Sequence, residues 1–210
     1  MTRAEIVVDL AAIRENVRAI AEFTGTPVMH VVKADGYGHG LLESARAGRE
    51  GGAAWLGVAG VDEALARRAG GDTGPILAWL ITASDDLAAA VEAGVDVAAY
   101  TVADLDRIAA LGIPARVQIK LDTGLTRGGA ARPDWATLFA RARAGELAGS
   151  WKITGLWSHF VASEEPDEPI NDEQEKVFRE GVDEARAAGL SPEVLHLANS
   201  AGALLRPSSR

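Results

Sequence analysis

Lys33 is the residue whose setting points most directly to chemistry. It follows the apolar run Val28 to Val32 and precedes a turn-forming Asp35-Gly36, then Tyr37, then a glycine pair around a histidine, Gly38-His39-Gly40. The run reads as a buried strand and the glycines as the loop after it. That puts Lys33 at the C-terminal end of a strand, where open and closed α/β folds gather their functional groups. An amine there is desolvated, which depresses its pKa and makes it a usable nucleophile or Schiff-base former. By pattern alone, the same lysine reads equally well as a strand-end side chain reaching for solvent.

Other polar residues fall at the ends of other apolar runs. Gln118, Lys120 and Asp122 are two apart, so they share one face of a strand. Arg127 follows in the glycine-rich loop DTGLTRGG, His159 ends a later run, and His196 precedes Asn199 and Ser200 at a helix start. This set suits an anionic ligand better than a metal, because no pair of carboxylates or histidines has ligand spacing. Ser200, with backbone N–H groups at a helix N-terminus, is a ready phosphate seat, and Tyr37 is a neutral donor for the same phosphate. Each has a plainer reading as well. Ser200 could simply cap its helix, Arg127 could belong to a flexible surface loop, and His159 could be a satisfied core histidine. His30 faces away from the lysine and is given no role, and His39 reads as helix-start structure.

The elements that must position these groups alternate regularly. Ile6–Val8 reads as a short strand, and Asp9 caps a helix through about Phe23. Strands are then expected at 28–34, 55–59, 75–80, 95–100, 115–121, 153–159 and 194–197. Helices are expected at 41–50, 62–69, 84–93, 101–111, 133–146, 171–188 and 200–205. Strand then helix, repeated seven times, implies a parallel sheet covered on both faces. No G-x-G-x-x-G links a strand to a helix, which weakens a dinucleotide-binding open sheet. Polar residues at four or more strand ends favour a (β/α)8 barrel instead. The count stops at seven, where an eighth strand would begin.

Composition sets the outer limits. With 210 residues, 48% of them hydrophobic and 24% charged, the chain suits one soluble domain with a sizeable core. A net charge of −9 without a basic cluster argues against nucleic acid. Cysteine is absent, so disulfides and thiolate metal sites are excluded. No apolar run approaches the ~20 residues needed to span a membrane, and the N-terminus turns polar too early for a signal peptide. A cytoplasmic setting is expected, with no membrane and no nucleic-acid partner.

Several motifs carry a resemblance to a known family. VDLAAIRENV, VVKADGYGHG, KLDTGLTRGG, GLWSHF and HLANSAG resemble, in order and roughly in separation, the N-terminal barrel domain of the alanine racemase family. The resemblance implies a TIM barrel of about seven βα units binding pyridoxal 5'-phosphate. Lys33 would hold the cofactor through its amine and act as one of two acid/base groups, and Tyr37 and Ser200 would hold its phosphate. Arg127 would lie beside its phenolic oxygen, His159 would face its ring, and His196 and Asn199 would support the site. Lys120 matches a lysine that is carbamylated in many members and bonds that arginine. A carbamate would turn the repulsion between Lys120 and Arg127 into attraction. The implied activity is interconversion of L- and D-alanine, a small amino-acid substrate, in a homodimer that supplies D-alanine for the cell wall.

The chain departs from the family pattern at its end. The family adds a strand whose arginine faces the pyridine nitrogen, then a β domain that brings a second catalytic tyrosine across the dimer. Neither falls within residues 1–210, so these are expected to form an incomplete barrel without racemase activity of its own. Two other functions fit parts of the pattern: a single-barrel pyridoxal-phosphate carrier, and a barrel enzyme using Lys33 as an aldolase would.

Overall fold

The computed structural model describes residues 4–210. Seven parallel strands form one sheet in sequence order, β1 to β7. They are β1 (Met29–Val31), β2 (Trp55–Val58), β3 (Ile76–Ala78), β4 (Asp96–Ala99), β5 (Ala115–Lys120), β6 (Trp151–Trp157) and β7 (Val194–His196). The helices are α1 (Leu10–Thr24), the short turn α2 (Lys33–Tyr37), α3 (Leu41–Glu50), α4 (Val61–Ala69), α5 (Leu87–Glu92), α6 (Val102–Ala109), α7 (Trp135–Leu147), α8 (Pro169–Ala187) and α9 (Ser200–Leu205).

Side chains alternate between two faces along each strand, and the two faces have separate apolar clusters. The larger lies between sheet and helices and takes Leu56, Val58, Ile76, Ala78, Val97, Val117, Ile119 and Leu156 from the strands. The smaller lies on the opposite face, with Leu77, Ala98 and Trp157 backed by Met29, Trp79 and Tyr100. The sheet is strongly curled around this second face. In a flat sheet, β3 and β6 would be three strand spacings apart, roughly 14 Å. The rings of Trp79 and Trp157, from the ends of those strands, have centroids only 6.3 Å apart. The second face is therefore the lumen of a TIM-type barrel with seven strands in place.

Polar side chains brace the N-terminal end of the lumen. Asp96 is 1% exposed and accepts from Arg116 Nε (2.6 Å), Gln118 Nε2 (3.3 Å) and Thr154 Oγ1 (2.5 Å). Thr154 reaches it because β6 carries one extra residue between Ile153 and Gly155 in its register with β5. Outside the lumen at the same end, Arg49 bonds both oxygens of Asp72 at 3.1 Å and Arg67 adds a third contact at 3.3 Å. Burial raises the Asp72 pKa, but bonds and charge from Arg49 and Arg67 reverse this and hold it below the usual range.

Four expectations need correction. No strand forms at Ile6–Val8; Ile6 and Val7 are 92% and 79% exposed, with no neighbouring strand to pair with. The first strand ends at Val31, because the backbone turns left-handed straight after Lys33. Pro133 sits in a 3-10 turn (Arg132–Asp134), and α7 begins at Trp135. The sixth strand runs Trp151–Trp157, which leaves His159 in the loop beyond it.

Candidate active site

Lys33 opens a turn that most residues avoid. Ala34, Asp35 and Gly36 have φ/ψ of 52/54°, 54/46° and 61/37°, and Tyr37 has φ 57°. Left-handed backbone costs a residue with a Cβ roughly 1–2 kcal/mol, so three such residues in one turn, Ala34, Asp35 and Tyr37, must be held by their surroundings. Asp35 Oδ1 accepts from Leu41 N at 2.7 Å, and Gly36 N donates to Val32 O at 2.8 Å. Gly36 has no space for a side chain, since a Cβ there would lie 2.8 Å from Ser44 Oγ. The result is a Lys33 amine 5.7 Å from the centroids of both the Tyr37 and Trp79 rings.

A second amine stands at the C-terminal end of the same lumen. Gln118 and Lys120 point inward from β5. Lys120 Nζ lies 5.3 Å from the Tyr100 ring centroid and 5.0 Å from that of Trp157. Tyr100 Oη donates to the Trp79 carbonyl at 2.6 Å. Burial and the Asp104 charge push the Tyr100 phenol up to about 12, against a smaller opposing pull from Arg127. It is a neutral hydrogen-bond donor at neutral pH. Gly57 makes room for Trp79: a Cβ there would be 2.8 Å from Trp79 Cζ3. His196 stacks on Trp157 with ring centroids 5.3 Å apart and planes 7° apart. Its Nε2 lies 2.9 Å from Gln118 Oε1. Because the Gln118 amide nitrogen is given to Asp96, that oxygen must accept, so His196 carries its proton on Nε2. Burial lowers the His196 pKa to about 4.

Arg127 lies on the loop after β5 and is exposed, near enough to act by charge on Lys120, Tyr100 and His159. Asp122 leaves the shared face of Gln118 and Lys120 and instead shapes this loop, accepting from Gly124 N at 2.9 Å and Thr126 N at 3.0 Å. His159 is set by Gln174 of α8, which bonds the His159 carbonyl (3.0 Å) and the Val161 amide (2.9 Å). Burial lowers the His159 pKa, and the charges of Arg127, Lys120 and Lys33 lower it further against a smaller opposing effect of Glu164. Burial and Arg127 together lower the Lys120 pKa, opposed by Asp122. Lys33, Lys120, Arg127 and His159, from the exits of β1, β5 and β6, therefore feel one another.

Lys33, Lys120 and Arg127 share a chemical deficit. Among the described residues, none of the three is in an ion pair with a carboxylate. Cations kept together without counter-charge fit an anionic ligand, and the aromatic walls of Trp79, Tyr100 and Trp157 fit a flat one. Among the described residues, no group of three His, Asp or Glu is arranged to hold a metal. No described helix is long and apolar enough to cross a membrane.

At the last strand, Asn199 and not Ser200 caps α9, accepting from Gly202 N at 2.9 Å. Ser163 Oγ lies 2.8 Å from Asn199 Oδ1, which ties the loop after β6 to this helix. Ser200 is the first helical residue and is exposed, at the same end of the sheet as Tyr37. His30 is on the outer face against Gly48, away from the lumen. His39 Nδ1 bonds Gly36 O at 2.8 Å and so belongs to the turn. Residue types and spacing pointed to Lys33, Tyr37, Lys120, Arg127, His159, Asn199 and Ser200. They missed the aromatic lining of Trp79, Tyr100 and Trp157. The signal was available, since Leu77 and Trp79, Ala98 and Tyr100, and Gly155 and Trp157 each keep a period of two toward the lumen.

Comparison with known proteins agrees with this geometry. Residues 8–210 match the family model described as "Alanine racemase, N-terminal domain". Alanine racemase of Salinispora arenicola is 47% identical over 213 residues, covering all of this chain and 57% of that protein. Alanine racemase of Thermobifida fusca is 42% identical, covering 99% of this chain and 57% of its own length. The crystal structure of alanine racemase from D-cycloserine-producing Streptomyces lavendulae superposes with a TM-score of 0.94 at 42% identity, over 96% of this chain and 54% of that one. The chain thus spans little more than half the length of these relatives. With its curled seven-stranded sheet and its match from residue 8 to residue 210, the chain belongs to the alanine racemase family, in the part that forms the N-terminal domain.

Proposed function

We propose that this chain is the lysine-bearing barrel of a pyridoxal-phosphate-dependent racemase that interconverts L- and D-alanine. The observation that carries the reading is the trio Lys33, Lys120 and Arg127, none paired with a carboxylate among the described residues, with Lys33 against Trp79 and Lys120 against Tyr100 and Trp157. A cofactor bearing a phosphate and a phenolate on a flat ring matches that donor set. When bound, pyridoxal phosphate supplies an electron-withdrawing ring that makes the substrate Cα–H acidic.

The residues of this chain then have distinct tasks. Lys33 would hold the cofactor through its amine and would move a proton at the substrate Cα. Tyr37 and Ser200 donate to the phosphate, with Asn199 fixing the start of α9. Arg127 would bond the phenolic oxygen. His159, kept neutral by burial and its cationic neighbours, would lie against the ring and orient the second proton-transfer group. Lys120, whose lowered pKa favours the free amine, is the form that carbon dioxide can carbamylate, giving Arg127 an anionic partner. Trp79 and Trp157 exclude water from the lumen.

Racemisation requires a second acid on the face opposite Lys33. Tyr100 is committed to the Trp79 carbonyl and stays a phenol, so it does not supply one. We assign that group to the remainder of a longer protein, a homodimer acting on a small amino acid and supplying D-alanine for the cell wall. The experiment is to add pyridoxal phosphate to the 210-residue chain and follow a visible absorbance band, then to assay L-alanine racemisation by the full-length protein. A band together with racemisation supports the reading. A band without racemisation favours a cofactor carrier, and no band defeats both.

A further inference from the structure

The strained turn at Lys33 has a support that comes from a different βα unit. Glu63 is the third residue of α4, and its two carboxylate oxygens collect three backbone N–H groups. Oε2 accepts from Ala59 (2.8 Å) and Gly60 (3.1 Å), at the exit of β2. Oε1 accepts from Ala34 at 2.6 Å, the amide directly after Lys33. Capping of α4 accounts for the Gly60 bond, since an acid at the third helical position commonly reaches back to the cap. It does not account for the bond to Ala34, 29 positions earlier in the chain.

Ala34 is the first of the left-handed residues, with φ 52° and ψ 54°. The charge-assisted bond from Glu63 therefore acts where the backbone departs from the conformation its Cβ prefers. At the far end of the turn, Asp35 bonds Leu41 N through its side chain and Gly40 N through its carbonyl. On the helix side, Ser44 leaves Gly36 no space to relax toward α3. The turn is clamped at both ends, and Glu63 is the clamp on the Lys33 side.

We propose that Glu63 is a positioning residue for Lys33: by holding the Ala34 amide it keeps the left-handed turn and fixes the Lys33 amine between Trp79 and Tyr37. The chemical use of that amine rests on the function proposed above, but its placement does not. Loss of the clamp lets Ala34 return to a right-handed or extended backbone and swings Lys33 away from the aromatic pair. Glycine at position 34 adopts the left-handed form without a Cβ penalty, so it offsets the loss.

The chain carries its own references for a test, since its four lysines are Lys33, Lys120, Lys152 and Lys176. Lys176 is 66% exposed at its side chain. Limiting acetic anhydride is reacted across a pH series with the protein free of cofactor, and each lysine is quantified by peptide mass spectrometry. Glu63→Ala should raise the labelling of Lys33 relative to Lys176 by about fivefold, the equivalent of one lost bond. The ratio of Lys120 to Lys176 should not change. Adding Ala34→Gly to Glu63→Ala should return Lys33 to the wild-type ratio. Glu63→Gln, which keeps one acceptor oxygen, should fall between and carries the test if Glu63→Ala fails to fold by circular dichroism. Any other pattern overturns the proposal: an unchanged Lys33 ratio in the folded variants, Lys33 and Lys120 moving together, or no return with glycine. Because the labelling uses no cofactor, failure of pyridoxal phosphate to attach at Lys33 would refute the proposed function and leave this result standing.

Discussion

Replacing Asp96 by alanine tests whether the floor of the lumen depends on one buried carboxylate. Three donors meet there, and they differ in what remains to them. Thr154 keeps the Val117 carbonyl at 3.2 Å, and Arg116, 39% exposed at its side chain, keeps Glu193 at 3.4 Å. The Gln118 amide is 0% exposed and, among the described residues, has no second acceptor for its nitrogen. An orphaned buried donor costs about 1–3 kcal/mol, and a hydrogen bond to a charged group contributes about 1.5–3 kcal/mol. With Arg116 and Thr154 still partnered, the loss should therefore be about 1–3 kcal/mol, set by the stranded Gln118 amide. Asp96→Asn keeps one acceptor and should cost about half as much. Urea unfolding followed by circular dichroism reads both values. The variant should also free Gln118 to reverse its amide, so that nitrogen-15 NMR of His196 no longer reports a single Nε2–H tautomer. A loss below about 1 kcal/mol with an unchanged His196 spectrum would refute the reasoning.

Three further outcomes follow from the same lumen. The unfolded His196 takes a proton near 6.5, while the folded one resists until about 4. The unfolded state binds more protons in that window, so wild-type stability should fall as pH is lowered through it. His196→Asn lacks this titration, so the stability difference between the two proteins should shrink from pH 6.5 to 4 in parallel urea titrations; a constant difference contradicts the burial of His196. Gly57→Ala places a Cβ 2.8 Å from Trp79 and 3.0 Å from Met29 Sδ, and overpacking of this kind costs about 1–3 kcal/mol. It should also shift tryptophan emission, whereas unchanged emission would mean that Trp79 does not fill that space. The 210-residue chain with pyridoxal phosphate should not racemise L-alanine at a rate near that of the full-length protein; comparable rates in a coupled D-alanine assay would show that the second proton-transfer group is already here.

Much of the barrel was legible because its periodicities are simple. Seven apolar runs separated by helical spacing became seven parallel strands, and Asp9, Asp86 and Thr101 cap helices as their types suggest. The misreadings have local causes. Ile6 and Val7 carry strand propensity with nothing to pair with, and propensity alone does not make a strand. The first strand was read too long because Ala34 and Asp35 give no sign of a left-handed turn; the support for it lies in Glu63, a whole βα unit away. The lysines, Arg127 and His159 stood out as polar residues at the ends of apolar runs. Trp79, Tyr100 and Trp157 did not, because both faces of a barrel strand are apolar and an aromatic lining looks like core. Asn199 was passed over as the cap of α9 because Ser200, one residue on, is an equally good capping type.

We propose Lys33 as the amine that holds pyridoxal phosphate, and covalent trapping reads this out at the residue itself. The chain is incubated with pyridoxal phosphate, reduced with borohydride and digested, and the pyridoxyl group is located by peptide mass spectrometry. One modified residue is expected, Lys33, with the modification lost in Lys33→Ala. A reduced pyridoxyl group on Lys120, or spread over Lys152 and Lys176 with Lys33 spared, would contradict it.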